Sequence, residues 1–182
     1  LESIWNAIPM KKISVVIPVF NLEKFINPLF NELKTAEGEL KEINLQLQLI
    51  FVNDGSRDST WDSLIQHQDM FSDIILINLT KNFGAICASN AGIKYIEGDC
   101  FTIYAGDLQD PIDLIPKMAQ KWQEGYKYII SIRNKNRKDP LLTIILSRIY
   151  YKLITWFVVK DFPKSGFDIA LWDSSLLDHL KY

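Results

Sequence analysis

Five short runs of aliphatic and β-branched residues, each closed by residues that end a strand, constrain this chain more than anything else in it. Ile13-Ser14-Val15-Val16-Ile17 stops at Pro18, Leu47 to Val52 runs into Asn53-Asp54-Gly55-Ser56, and Ile74 to Leu79 precedes Lys81-Asn82-Phe83-Gly84. Phe101 to Tyr104 precedes Gly106-Asp107, and Tyr128 to Ile132 precedes a basic stretch. Continuous apolar runs of this length read as strands buried on both faces. Between them lie helical segments: Leu22 to Thr35, where Phe25, Leu29, Phe30 and Leu33 recur at helical spacing, then Ser59 or Asp58 (as cap) through Gln68, Gly84 to Tyr95, and Pro111 to Glu124. Polar Glu37 to Asn44 is expected to return the chain to the sheet. The order β-α-β-α-β-α-β-α-β predicts an α/β, Rossmann-like, mainly parallel sheet with helices on both faces. Ligands of such sheets sit beyond the carboxyl ends of the strands, where the four motif loops are expected to meet.

Composition narrows the function. With 48% hydrophobic residues among 182, the chain can bury a sizeable core. A net charge of −2 leaves no bulk positive field to hold nucleic acid, so a phosphate must be bound locally. Cys87 and Cys100 stand apart, read as small buried hydrophobes, and point to a reducing compartment. Residues 1–9 lack the charged start and apolar run of a signal peptide and are set aside as an added or disordered leader, with the domain taken as 10–182. Leu141 to Val159 is apolar but interrupted by Ser147, Arg148 and Lys152, so it is a poor membrane span. Residues 140–160 read equally as a helix buried in a larger core or one lying in a membrane interface.

Several polar residues stand where chemistry is done, each with a plain structural alternative. Asp54 at a strand end can accept from a base or sugar, or simply form a turn. Asp107 and Gln109 offer hard oxygens at alternate positions, suited to Mg²⁺ or Mn²⁺ on a diphosphate, while Asp110 reads as the cap of a helix begun by Pro111. Lys81 to Gly84 precedes a helix N-terminus, a setting for an anion or an ordinary solvated turn. Arg133, Arg137 and Lys138 are phosphate ligands or a solvated basic surface. His67 and His179 stand apart, and neither resembles a zinc ligand set.

Taken in order, Val15 to Asn21, Phe51 to Thr60, Lys81 to Gly84 and Asp107-Leu108-Gln109-Asp110-Pro111 resemble glycosyltransferase family 2, and within it the polyprenyl-phosphate glycosyltransferases, such as dolichyl-phosphate mannose synthase-like enzymes. Glu124-Gly125-Tyr126, Arg133, Arg137, Ser147, Tyr150 and Gly166-Phe167-Asp168 look like the same subgroup. The resemblance implies a GT-A fold, a UDP- or GDP-sugar donor, and a Mg²⁺ or Mn²⁺ ion. It places Pro18, Phe20, Asn21, Asp54, Lys81, Asn82, Gly84 and Asp107 on the donor, Asp107 and Gln109 on the metal, and Arg133 and Arg137 on phosphate. Asp168 and Arg133 would lie at the reacting centre. It implies inverting transfer to a polyprenyl phosphate at the cytoplasmic face of a membrane, by a protein that is peripheral or anchored through a segment beyond Tyr182, with a homo-oligomer as a further expectation. Two other readings stay open: extension of a cell-surface glycan on a sugar hydroxyl, with Asp168 as general base, and a non-catalytic nucleotide-sugar-binding module. The sequence departs from the family at Ala105, where an Asp-x-Asp pattern has its first carboxylate, a loss expected either to weaken metal binding or to shift its load to Gln109, the diphosphate and water.

Overall fold

A computed structural model describes residues 10–132 and 167–179, with the backbone alone at 167, 168, 178 and 179. The elements run β1 (Lys11–Val19), α1 (Glu23–Glu42), β2 (Leu45–Asn53), α2 (Thr60–His67), β3 (Ile74–Asn78), α3 (Ala85–Ile93), β4 (Cys100–Ile103), α4 (Leu114–Gln123), β5 (Tyr128–Ile132) and β6 (Phe167–Asp173). Short 3-10 turns follow at Gln68–Met70 and Ser174–His179. The described strands form one sheet in the order β3-β2-β1-β4-β6-β5.

β1 lies inside the sheet, and Ile13, Val15, Val16 and Ile17 are wholly buried, as a strand covered on both faces requires. Its side chains alternate between two cores. Ile13, Val15 and Ile17 join the larger core, to which α1 contributes Ile26, Leu29, Phe30, Leu33, Ala36 and Leu40. Phe30 stacks on Phe51 of β2 with ring centroids 5.1 Å apart. Each such buried side chain contributes about 1.5–3 kcal/mol through removal from water. Val16 points the other way, into a smaller core with Ile50, Val52 and Ala88 of α3. The expected α/β architecture, with helices on both faces, is therefore what the chain adopts.

The strands β3, β2, β1 and β4 are parallel. The right-hand edge differs from expectation. β6, which the periodicity did not single out as a strand, inserts between β4 and β5 and runs antiparallel to both. Helix α1 continues past Thr35 to Glu42. The polar stretch expected to leave the helix stays in it because Glu37, one turn from Lys34 and from Lys41, is ion-paired to both, at 2.8 and 3.0 Å, while Ala36 and Leu40 keep the buried stripe. Asn44, at φ 58°, then ends the excursion in the left-handed conformation that asparagine tolerates. Helix α4 begins at Leu114 with Asp113 at its N-cap position, and the turn from Pro111 leads into it through Leu114 N–H to the Pro111 carbonyl and Ile115 N–H to the Ile112 carbonyl.

Cys100 is buried, but Cys87 is exposed, contrary to expectation, because the first turn of α3 turns that position away from the sheet. No helix among the described residues is long and apolar enough to cross a membrane. The leader 1–9, the basic stretch after Ile132 and the 140–160 segment lie outside the described residues.

Candidate functional site

The carboxyl ends of the parallel strands open on a cavity of about 310 Å³. Pro18, Val19, Phe20 and Leu22 line it from β1 and the turn beyond, Asp54 from the end of β2, Asn82, Gly84 and Ala85 from the β3–α3 turn, and Ala105, Gly106 and Asp107 from the end of β4. The structure thus brings Pro18, Phe20, Asp54, Asn82, Gly84 and Asp107 together as the motifs implied. Asn21, Lys81 and Gln109 are not among the lining residues. Val19 and Gly106, which lie within the motifs, also line the wall; Leu22 and Ala85 join it with no signal in the sequence beyond position beside a motif.

Asn21 serves the loops instead. At φ 53° it donates its N–H to Ser56 Oγ (2.9 Å) and accepts the Arg57 N–H on Oδ1 (2.8 Å). Ser56 Oγ donates to Asn53 Oδ1 (2.5 Å), and Asn53 Nδ2 donates to Asn78 Oδ1 (2.8 Å), so a chain of side chains ties β3 to the β1–α1 turn. The starts of α1 and α2 satisfy each other. Leu22 N–H donates to Thr60 Oγ1 (2.8 Å), Glu23 N–H to Asp58 Oδ2 (3.2 Å) and Ser59 N–H to Glu23 Oε2 (3.3 Å). These are the donors a helix N-terminus leaves without an internal partner. Ser59 occupies the cap position of α2 without a side-chain bond, and Asp58 receives Thr60 N–H (3.1 Å) and Oγ1–H (2.5 Å). Burial pushes the Asp58 carboxyl up, but the bonds it accepts from Thr60 and Glu23 outweigh that and hold it below the ordinary aspartate value.

Asp54 is held at the end of β2 by the turn that follows β3. It is 2% exposed, and its carboxylate oxygens accept Phe83 N–H (2.8 Å) and Gly84 N–H (2.9 Å). Lys81 extends its ammonium over the Phe83 ring, 5.1 Å from the centroid.

The β4 end is more open. Asp107 is half-buried, and its Oδ1 accepts the Gln109 N–H at 3.2 Å in a turn where Leu108 takes φ 57°. Beneath it, buried Tyr104 donates to the Asp110 carbonyl (2.5 Å). Burial, joined by the charges of Asp110 and Asp107, pushes the Tyr104 hydroxyl up to about 12. Among the described residues there is no cluster of three metal-ligating side chains. With Ala105 in place of a carboxylate and both Asp54 oxygens taken by main chain, Asp107 is the acid at this cavity suited to a cation. Its oxygens are ligands of the hard kind that Mg²⁺ or Mn²⁺ takes.

Asp168 is the second residue of β6, whose pairing with β4 runs from Cys100 opposite Asp173 to Thr102 opposite Leu171. Arg133 and Arg137 lie outside the described residues.

Comparison with known proteins agrees with this arrangement. The model of the family "Glycosyl transferase family 2" matches residues 14–168. A bactoprenol glucosyl transferase of Shigella phage SfX is 32% identical over 171 residues, covering 93% of this chain and 55% of that protein. Undecaprenyl-phosphate 4-deoxy-4-formamido-L-arabinose transferase of Salmonella choleraesuis is 33% identical over 151 residues, covering 82% of this chain and 45% of that protein. The chain spans about half the length of these curated relatives. Among solved structures, S. aureus TarS in complex with UDP superposes with a TM-score of 0.62 at 20% identity, covering 94% of this chain and 49% of that one. Mannosyltransferase PcManGT from Pyrobaculum calidifontis, solved with GDP-Man and Mn²⁺, gives a TM-score of 0.62 at 16% identity, covering 94% of this chain and 47% of that one. These two share the GT-A fold with it. Since the family match runs through every loop that meets at the cavity, this chain belongs to glycosyl transferase family 2.

Proposed function

We propose that the chain is the donor-binding catalytic domain of an inverting glycosyltransferase that moves a sugar from a UDP- or GDP-sugar to a polyprenyl phosphate. The observation that carries the reading is the cavity at the strand ends, where Pro18, Asp54, Asn82, Gly84 and Asp107 converge. The curated relatives named for bactoprenol and undecaprenyl phosphate support the acceptor class.

In this reading the base and ribose lie between the Pro18–Phe20 wall and the Asn82–Gly84 turn, with the diphosphate toward Asp107. Asp107, backed by Gln109, would hold Mg²⁺ or Mn²⁺, which when bound neutralises charge on the departing nucleoside diphosphate. Asp168, near the start of β6 beside β4, is assigned to the acceptor side from its place in the Gly166-Phe167-Asp168 segment that resembles the family. A phosphate acceptor is already ionised, so Asp168 positions it rather than removing a proton. Arg133 and Arg137 are assigned to phosphate oxygens, which guanidinium forks suit. One in-line displacement inverts the anomeric carbon. Phe20, Phe83 and Ile86, exposed by 40, 48 and 79% at the site end of the sheet, suit an acceptor whose isoprenoid tail stays in lipid. Peripheral association with the cytoplasmic face of a membrane follows from that acceptor.

Calorimetric titration of UDP and GDP with and without Mn²⁺, followed by transfer to undecaprenyl phosphate in vesicles, tests the proposal. Metal-dependent binding of one nucleotide with sugar transfer to the lipid is expected. Failure of both nucleotides to bind overturns the donor assignment, and donor binding with transfer only to a sugar hydroxyl overturns the acceptor.

A further inference from the structure

Resting on the reading of Asp107 as the acid that meets the donor's cation, we infer that Tyr104 is a positioning residue: its buried hydroxyl holds the Asp110 carbonyl, closes the loop from Ala105 to Gln109 and so fixes where Asp107 stands at the cavity. Tyr104 lies just past β4, wholly buried in the larger core, and its own N–H donates to the Val16 carbonyl of β1 (2.9 Å). The near end of the loop is thus part of the sheet. The far end lies beyond the strand, and there the Tyr104 hydroxyl donates to the Asp110 carbonyl (2.5 Å), spanning the loop. Of the enclosed residues, Ala105, Gly106 and Asp107 line the cavity.

The path inside the loop is one that has to be held. Leu108 takes φ 57°, the left-handed region that leucine disfavours, while its side chain packs against the larger core. Gly106 lies so close to β1 that a Cβ there would come within 2.9 Å of the Val19 side chain. The strand end, the Gly106 contact, Leu108 on the core and the Tyr104 bond together set one course for the chain. On that course Asp107 stays half-buried at the cavity, with Oδ1 on the Gln109 N–H (3.2 Å). Core filling does not call for the hydroxyl, because phenylalanine would fill nearly the same space with no polar atom to satisfy. What the hydroxyl adds is a bond to main chain, and the loop it closes is the one that carries the acid. With Ala105 in place of a carboxylate, the place of a cation depends on Asp107 the more, and so does the cost of letting its loop drift.

Amide hydrogen exchange on the 182-residue chain without nucleotide or metal tests the tie by itself. The Gln109 amide is expected to be protected in the wild type and, in Tyr104→Phe, to exchange about tenfold faster relative to the amides of β1. A hydroxyl that only satisfies the core would lower global stability and speed β1 as much as the loop. That result, or a Gln109 amide already unprotected in the wild type, overturns the inference. Calorimetry with the nucleotide that the wild type binds supplies the second arm. Tyr104→Phe is expected to weaken Mn²⁺-dependent binding on the order of tenfold and to leave binding in EDTA unchanged. Combined with Asp107→Asn it should bind as Asp107→Asn does alone, since both act through one carboxylate. Losses that multiply, or an equal loss with and without metal, would place the effect of Tyr104 elsewhere and overturn the inference. A wild type that binds neither nucleotide overturns the donor reading, and the exchange arm then decides the tie on the loop alone.

Discussion

The two sides of β1 deliver an aspartate to one cavity and put it to different use. On the β2–β3 side, Asp54 follows a parallel strand and meets the N–H groups of the next turn, and the surrounding loops are cross-braced through Asn21, Ser56, Asp58 and Thr60. On the β4–β6 side, Asp107 follows a parallel strand too, but the bond it accepts comes from Gln109 in its own turn, and it stays half-buried. A carboxylate whose oxygens are taken by main chain is a fixed part of the wall. One that faces the cavity within its own short turn can exchange partners with water or an ion. The same sequence signature therefore leaves a carboxylate bonded to a neighbouring turn on one side and a more open one on the other, and the nearest main-chain donors decide which.

The largest effect that should separate the two sides comes from Gly55. Alanine there adds the cost of a left-handed conformation to a contact of 2.4 Å with Lys81 main chain. Gly55→Ala should destabilise the fold by about 3 kcal/mol or more, read as a drop in urea midpoint. An unchanged midpoint would mean that the β2 and β3 turns are not packed on each other, and the contrast would fail at its rigid end. On the open side, Asp107→Asn should leave the midpoint nearly unmoved and weaken Mn²⁺-dependent nucleotide binding on the order of 100-fold, about 2.8 kcal/mol. Full metal-dependent binding in that variant would remove Asp107 from the ion.

The same contrast explains what could be read in the sequence. β1 and β2 are apolar runs buried on both faces and β3 is a half-buried apolar run at the sheet edge, and their ends are marked by Pro18, Asn53-Asp54-Gly55 and Lys81 to Gly84, so both the strands and the meeting point of their loops were legible. The lengthening of α1 was not, because the polarity of Glu37 conceals that Lys34 and Lys41 pair with it on the helix itself. β6 was hidden for a different reason. Ile169 and Leu171 join the larger core while Trp172 stacks on Phe101, a strand alternation; yet its place between β4 and β5 depends on pairing across the sheet, which local periodicity does not encode. The hydrogen bonds of Asp54 were illegible too, since their donors lie 29 and 30 residues further along the chain.

The smallest effect tests how the antiparallel insertion is anchored. Trp122 of α4 donates its indole N–H to Asp173 at the end of β6 (2.8 Å), and Ser175 N–H adds a second bond at 3.1 Å. The bond from the Ser175 hydroxyl, opposed by burial and reinforced by Trp122, holds the Asp173 carboxyl below the ordinary aspartate value. A carboxyl lowered on folding contributes stability above its unfolded pKa and loses it as pH falls through the folded one. Trp122→Phe removes the indole bond and some packing, but only the bond depends on the charge of Asp173. The variant should therefore lose about 1 kcal/mol more at neutral pH than in acid, below the ordinary aspartate range, the remaining packing loss being the same at both. Urea midpoints at the two pH values measure the difference. A penalty equal at both would mean that apolar packing, rather than the Asp173 carboxylate, ties β6 to α4, and the β4–β6 side would then be held by the same means as the β2–β3 core.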